Sequence, residues 1–121
     1  MISEDAVHAY NSRLTIDTSN ISKLTPSQRD AIKSYGSQAE ALLKNRELAM
    51  FIHHFKFEVS DALSSIAGHD QDSNSRRVAL SNQLTGIDSF IATLQRAVYL
   101  KNRVVTLQAE PAPNLKGNKI I

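Results

Sequence analysis

Along the second half of the chain, Leu80, Leu84, Ile87, Ile91, Leu94, Val98 and Val105 recur mostly at alternating steps of four and three, with Lys101 the one polar residue in the series. That spacing lines them up on one face of a helix, in the manner of a heptad seam. A matching series runs through the middle of the chain as Leu48, Ile52, Phe55, Val59, Ala62 and Ile66. It is preceded by a shifted stripe of Ile32, Tyr35, Ala39 and Leu42. The prolines are Pro26, Pro111 and Pro113, so no residue between Ser27 and Glu110 forbids a helix. Thr25-Pro26-Ser27-Gln28 has the form of a helix start, with Thr at the N-cap, Pro at the first helical position and Gln three residues after the cap. The stretch from Gly68 to Ser75 collects Gly, Asp, Asn and Ser, which favour turns and caps. The pattern therefore predicts an all-α fold: a long antiparallel helical hairpin, with helices over 26–67 and 73–109 joined by a turn at Gly68.

The ends are less regular. Ser3 is placed to cap a short helix carrying Val7, Tyr10 and Leu14, while Asp17 to Ser22 is rich in residues that loosen a helix. This divides the chain into an N-terminal arm with a short helix over 1–24, a helical hairpin oligomerisation core over 25–110, and a flexible tail over 111–121. A single helix over 26–67 would extend roughly 63 Å, against about 27 Å across for a compact globule of this length, so the expected shape is a rod.

With the turn centred near residue 70, Lys101 faces Ala39 and Glu40, and His53 comes close to Asp88. Each polar interruption of a seam then has a partner that fixes the register of the two helices. The apolar surface exceeds what one seam can hide. Met50, Phe51, Ile52, Phe55 and Phe57 point in several directions around the first helix, and Phe90, Ala97, Leu100, Val104 and Leu107 form a second stripe on the other. A two-helix hairpin covers one stripe on each helix, so we expect a homo-oligomer with Phe51, Phe57 and Phe90 in its interface. The competing arrangement folds the N-terminal segment over the middle to complete a three-helix monomer.

Composition narrows the chemistry. The chain has 121 residues, 41% of them hydrophobic, with 14 Lys and Arg against 12 Asp and Glu and no Cys. That suits one small domain without disulfides, and its apolar runs are too short to span a bilayer. Met1-Ile2-Ser3-Glu4-Asp5 lacks the basic segment and apolar core of a signal peptide, so the expected compartment is a reducing cytoplasm. His54 and Glu58 share a helical face, but two ligands do not make a metal site, and no nucleotide-binding or nucleophile motif is present. Neither an enzyme nor a cofactor is expected.

Charge is distributed unevenly. Residues 1–75 hold seven basic and ten acidic side chains, whereas residues 76–121 hold seven basic and two acidic ones. Arg96 and Arg103 share a helical face, and Lys116 and Lys119 carry the excess into the tail. These four cations are candidates for weak contact with nucleic acid, without sequence preference. Arg76 and Arg77 sit in the first turn of the second predicted helix, where positive charge is unfavourable; Asp70 and Asp72 are the expected compensation, with phosphate contact the alternative.

The layout of short arm, long hairpin and apolar-ended tail resembles the oligomerisation core of phage small terminase subunits. The likeness covers roughly residues 25–110. Asp72-Ser73-Asn74-Ser75-Arg76-Arg77-Val78-Ala79-Leu80 is similar in kind to the start of the second helix in the hairpin type of that family. The resemblance implies a non-enzymatic ring that presents viral DNA to a larger motor or portal protein, docked through the tail, in the host cytoplasm. The sequence has no evident N-terminal helix-turn-helix, so DNA contact of a non-specific kind is what it implies. A structural virion protein and a helical-hairpin chaperone or secretion adaptor are the alternatives.

Overall fold

A computed structural model describes residues 2–109, which form four α-helices and no strand. They are α1 (Ile2–Ser12), α2 (Pro26–Leu43), α3 (Arg46–Ser64) and α4 (Gln71–Ala109), with a single 3₁₀ turn at Ile21–Lys23. The tail over 111–121, with Lys116 and Lys119, lies outside the described residues.

α2 begins where the sequence predicts. The Gln28 N–H donates to Thr25 Oγ1 at 3.2 Å, and the Thr25 N–H donates to Gln28 Oε1 at 3.0 Å, so two orphan donors are satisfied reciprocally across the first turn. Pro26 at the first position has no N–H to leave unpaired.

The single helix expected over 26–67 is instead two, broken at Lys44–Asn45. The cause is Asn45, whose backbone is extended and whose side-chain Oδ1 accepts from the Leu48 N–H at 2.8 Å. An Asn side chain competes well for the free amides of a first turn, and here it caps a new helix rather than extending the old one. α3 also stops earlier than expected, at Ser64. There the Ser65 hydroxyl donates to the Ala62 carbonyl at 2.8 Å, and the Ser65 N–H shares the carbonyls of Asp61 and Ala62.

α4 starts at Gln71, slightly before the predicted position. Its first turn closes on Asp70, whose carbonyl accepts from the Asn74 N–H at 3.0 Å and whose carboxylate accepts from the Ser73 hydroxyl at 2.6 Å. Gly68 serves this turn through space rather than unusual backbone angles, since a Cβ there would fall 2.6 Å from Ser73 Oγ and 2.8 Å from Asp70 Oδ1.

α2 and α3 both run against α4 in the opposite sense. Lys33 Nζ donates to Gln108 Oε1 at 2.9 Å, Lys101 Nζ to Glu40 Oε1 at 2.8 Å, and Lys56 Nζ to Asp88 Oδ1 at 3.0 Å. At 39 residues, α4 reaches about 58 Å and supports every other packed element.

The core is concentrated at one end. Ile32, Leu100, Val104 and Leu24 form one buried cluster, with Leu14, Ile16 and Ile21 of the N-terminal segment packed against it. Ala39, Leu94 and Ala97 form a second cluster beside it. Leu14, expected on the N-terminal helix, therefore lies past its end and works as a core residue. The approach of α2 to α4 is close because Gly36 stands at the crossing. A Cβ there would fall 2.7 Å from the Ala97 carbonyl oxygen and closer still to the Lys101 Cβ.

The α4 seam departs from its predicted course after Leu94. Leu80, Leu84, Ile87 and Ile91 are half-buried along the expected face, but beyond them burial passes to Ala97, Leu100 and Val104, and Val105 is exposed. The partner changes at this point from α3 to α2 plus the N-terminal segment, which cover a different face of the same helix. Of the stripe expected to be surplus, Ala97, Leu100 and Val104 are the core there, while Leu107 is half-buried and Phe90 exposed.

Candidate functional site

Two surfaces stand out once the core is accounted for. The first is the aromatic surface of α3 and the adjoining part of α4. Only Val59 on α3 is buried. None of the four phenylalanines is buried; Phe51 is 74% exposed, Phe57 66% and Phe90 45%. Phe51 meets the His54 ring edge-on with centroids 6.5 Å apart, while Phe57 lies on another side of the helix. The three residues predicted for an interface are thus all accessible, on more than one face. At the α2–α3 break an apolar cavity of about 140 Å³ opens between Leu42, Leu43, Leu48, Ile52, Ile91 and Leu94.

His53 lines that cavity and is not the partner of Asp88. Asp88 instead pairs with Lys56 at 3.0 Å. The predicted pairing assumes an unbroken first helix, and the new start at Asn45 changes the face that α3 turns toward Asp88. The other predicted pair is present: Lys101 bonds Glu40, and Lys44 stands 3.5 Å from the second carboxylate oxygen. The Glu40 carboxyl is held below its usual value by the hydrogen bond from Lys101, then by the charges of Lys101 and Lys44.

The second surface is a polar cleft of about 380 Å³ between α4 and the segment Thr18–Ser22, lined on the α4 side by Arg96, Tyr99, Leu100, Arg103 and Leu107. The N-terminal segment is tied there partly by its own turns. The Ser19 N–H donates to the Asp17 carboxylate at 3.0 Å, which lowers the pKa of Asp17, and the Ser22 hydroxyl donates to Asn20 Oδ1 at 2.7 Å. Arg29 Nη2 donates to the Ser22 carbonyl at 3.1 Å, anchoring the segment to α2. Arg96 Nη2 stands 3.5 Å from Thr18 Oγ1 across the cleft. Arg96 and Arg103, predicted from their shared helical face, are therefore brought to one site. Tyr99, which sequence reasoning missed, lies between them; its three- and four-residue spacing to the two arginines was the available signal.

Arg77 is explained differently from its prediction. It donates to the carbonyls of Ile66 and Gly68 and to Asn74 Oδ1, so its charge meets backbone carbonyls of the α3–α4 connection rather than Asp70 or Asp72. Asp70 is occupied by the α4 cap, and the hydrogen bond from Ser73, followed by backbone bonds, holds its carboxyl below the usual value.

Among the described residues no three His, Asp or Glu side chains gather in a metal-binding arrangement, and no helix is long and apolar enough to cross a membrane. Comparison with protein-family models, curated proteins and solved structures finds no match to the chain.

Proposed function

We propose that this protein works by assembling with copies of itself, the α2–α3 arm and α4 forming a hairpin oligomerisation core, and not by catalysis. The observation that carries the reading is that all four phenylalanines are left unburied while the buried core is built from Leu, Ile, Val and Ala. Large exposed aromatic groups on a helical face are characteristic of surfaces that a partner covers. Several faces of α3 carry them, which suits a side-by-side arrangement in which each copy meets two neighbours. Native mass spectrometry tests this. The expected mass is a multiple of 13.4 kDa, reduced to one chain by Phe51→Glu with helical dichroism retained. A wild-type protein that runs as one chain at micromolar concentration refutes it.

Within this reading, the resemblance to phage small terminases gives the assembly a role in handling DNA beside a larger motor or portal protein. Arg96 and Arg103 support it, since each copy would present the pair at a cleft and a ring would sum their phosphate contacts. Binding is expected to be weak per chain, without sequence preference and steeply salt-dependent. Neutralising both arginines should lower both the affinity and the salt slope.

A further inference from the structure

Three open clefts lie in a row at the core end of the molecule and share walls. The first is the polar cleft of Arg96, Tyr99 and Arg103, and none of its lining side chains is a carboxylate. The second, about 270 Å³, shares Thr18, Arg96 and Leu100 with the first and adds Arg13 and Tyr35. The third shares Arg13 and Tyr35 with the second and continues along α1, where Asp5 and His8 join its wall. The Arg13 guanidinium lies 3.6 Å over the Tyr10 ring. Tyr35 and Tyr99 therefore line one exposed track with Arg13, Arg96 and Arg103, Tyr10 touches it only through Arg13, and no phenylalanine lines these clefts.

We propose that this track binds single-stranded nucleic acid, with phosphates at Arg96 and Arg103 and a base stacked on Tyr99. The proposal rests on the reading above that these arginines meet nucleic-acid phosphates, and it adds which form of nucleic acid they meet. Alternating cations and flat rings match a ligand that itself alternates negative charges with flat aromatic groups. Tyr99 is 59% exposed, so its ring is free to receive a base, and Arg96 and Arg103 flank it one turn away on either side. A duplex hides its bases in its own stack, and rings set between the cations would add little to its binding. The second cleft, adjoining the first, gives a further nucleotide a place to lie, with Tyr35 and Arg13 repeating the pairing of ring and cation.

The test uses the full chain in its native assembly at low salt, titrated into labelled oligothymidylate, oligouridylate and a duplex DNA of the same length. Either single strand should bind at least several-fold more tightly than the duplex, and the tighter of the two identifies the strand as DNA or RNA. Tyr99→Ala should weaken single-strand binding roughly tenfold, while Tyr99→Phe, which keeps the ring, should not. Arg96→Gln with Arg103→Gln should lower the salt slope by about 1.4, since each phosphate on a single strand that loses its cation removes about 0.7. Thermal unfolding of each variant confirms that the fold is intact. Duplex bound as tightly as either strand, with Tyr99→Ala indifferent, overturns the single-strand proposal and leaves the phosphate reading standing. No binding of any probe at low salt overturns both.

Discussion

One long helix, α4, is treated in two ways along its length. Toward its C-terminal end it meets α2 through Gly36, Ala39 and Ala97, and the N-terminal segment seals the flank with Leu14, Ile16, Ile21 and Leu24. Toward its N-terminal end it meets α3 alone, which buries only Val59 of its own residues and leaves its phenylalanines exposed. Small residues let two backbones approach closely, and a third layer then excludes water. Without that layer, two helices can bury only the stripe between them. The contrast separates two regions: the covered end holds the buried core, and the open end leaves apolar surface exposed, the surface proposed above for association.

The contrast can be broken most strongly in the core. Truncating Ile32, which is 1% exposed, to Ala should cost about 2–5 kcal/mol in urea unfolding. The same change at half-buried Ile52 on α3 should cost clearly less, because part of that side chain is hydrated in both states. Equal losses at the two positions would show that the ends are equally packed.

Next in size is the helix crossing. Gly36→Ala forces a methyl against the Ala97 carbonyl and the Lys101 side chain, so a loss of about 1–3 kcal/mol is expected. Gly86 is the control: nothing lies within 4 Å of a Cβ there, and Gly86→Ala should stabilise α4 by about 0.5–1 kcal/mol. Opposite shifts in melting temperature for the two glycines are the expected result.

These residues also show what the sequence made visible and what it did not. The Thr25–Gln28 cap was legible because its geometry is local, and the Lys101–Glu40 pair because a charge inside an apolar seam demands a partner. The break at Asn45 was not, since an Asn within a helical pattern reads equally as an exposed position and as a cap until its side chain is seen on the Leu48 N–H. That one missed cap also misplaced His53 opposite Asp88. Periodicity traced α4 correctly to Leu94 and then failed, because a seam reports one partner and the partner changes there. At the candidate site, Arg96 and Arg103 were found by spacing and charge. Tyr99 acquires meaning only when Thr18–Ser22 folds over to make the opposite wall, a long-range approach that no local pattern encodes.

The smallest expected effect concerns pH. Folding lowers the pKa of Glu40, through Lys101, and of Asp70, through Ser73. Groups with a depressed folded pKa contribute stability that is complete above their unfolded value and is lost as pH falls through the folded one. The melting temperature should therefore hold steady from neutrality down to the ordinary carboxylate range and decline below it. Glu40→Gln should make that decline shallower. Asp70 is exposed and Glu40 is open to solvent over a third of its side chain, so the change is expected to be slight.

Hydrogen exchange, compared between the wild type and the Phe51→Glu/Phe57→Glu variant, tests most directly whether the two ends have separate roles. Exchange across α3, residues 46–64, is predicted to speed up in the variant, while α2 and residues 94–104 of α4 keep their protection. Unchanged protection across α3, or a loss shared equally by all helices, would contradict that division.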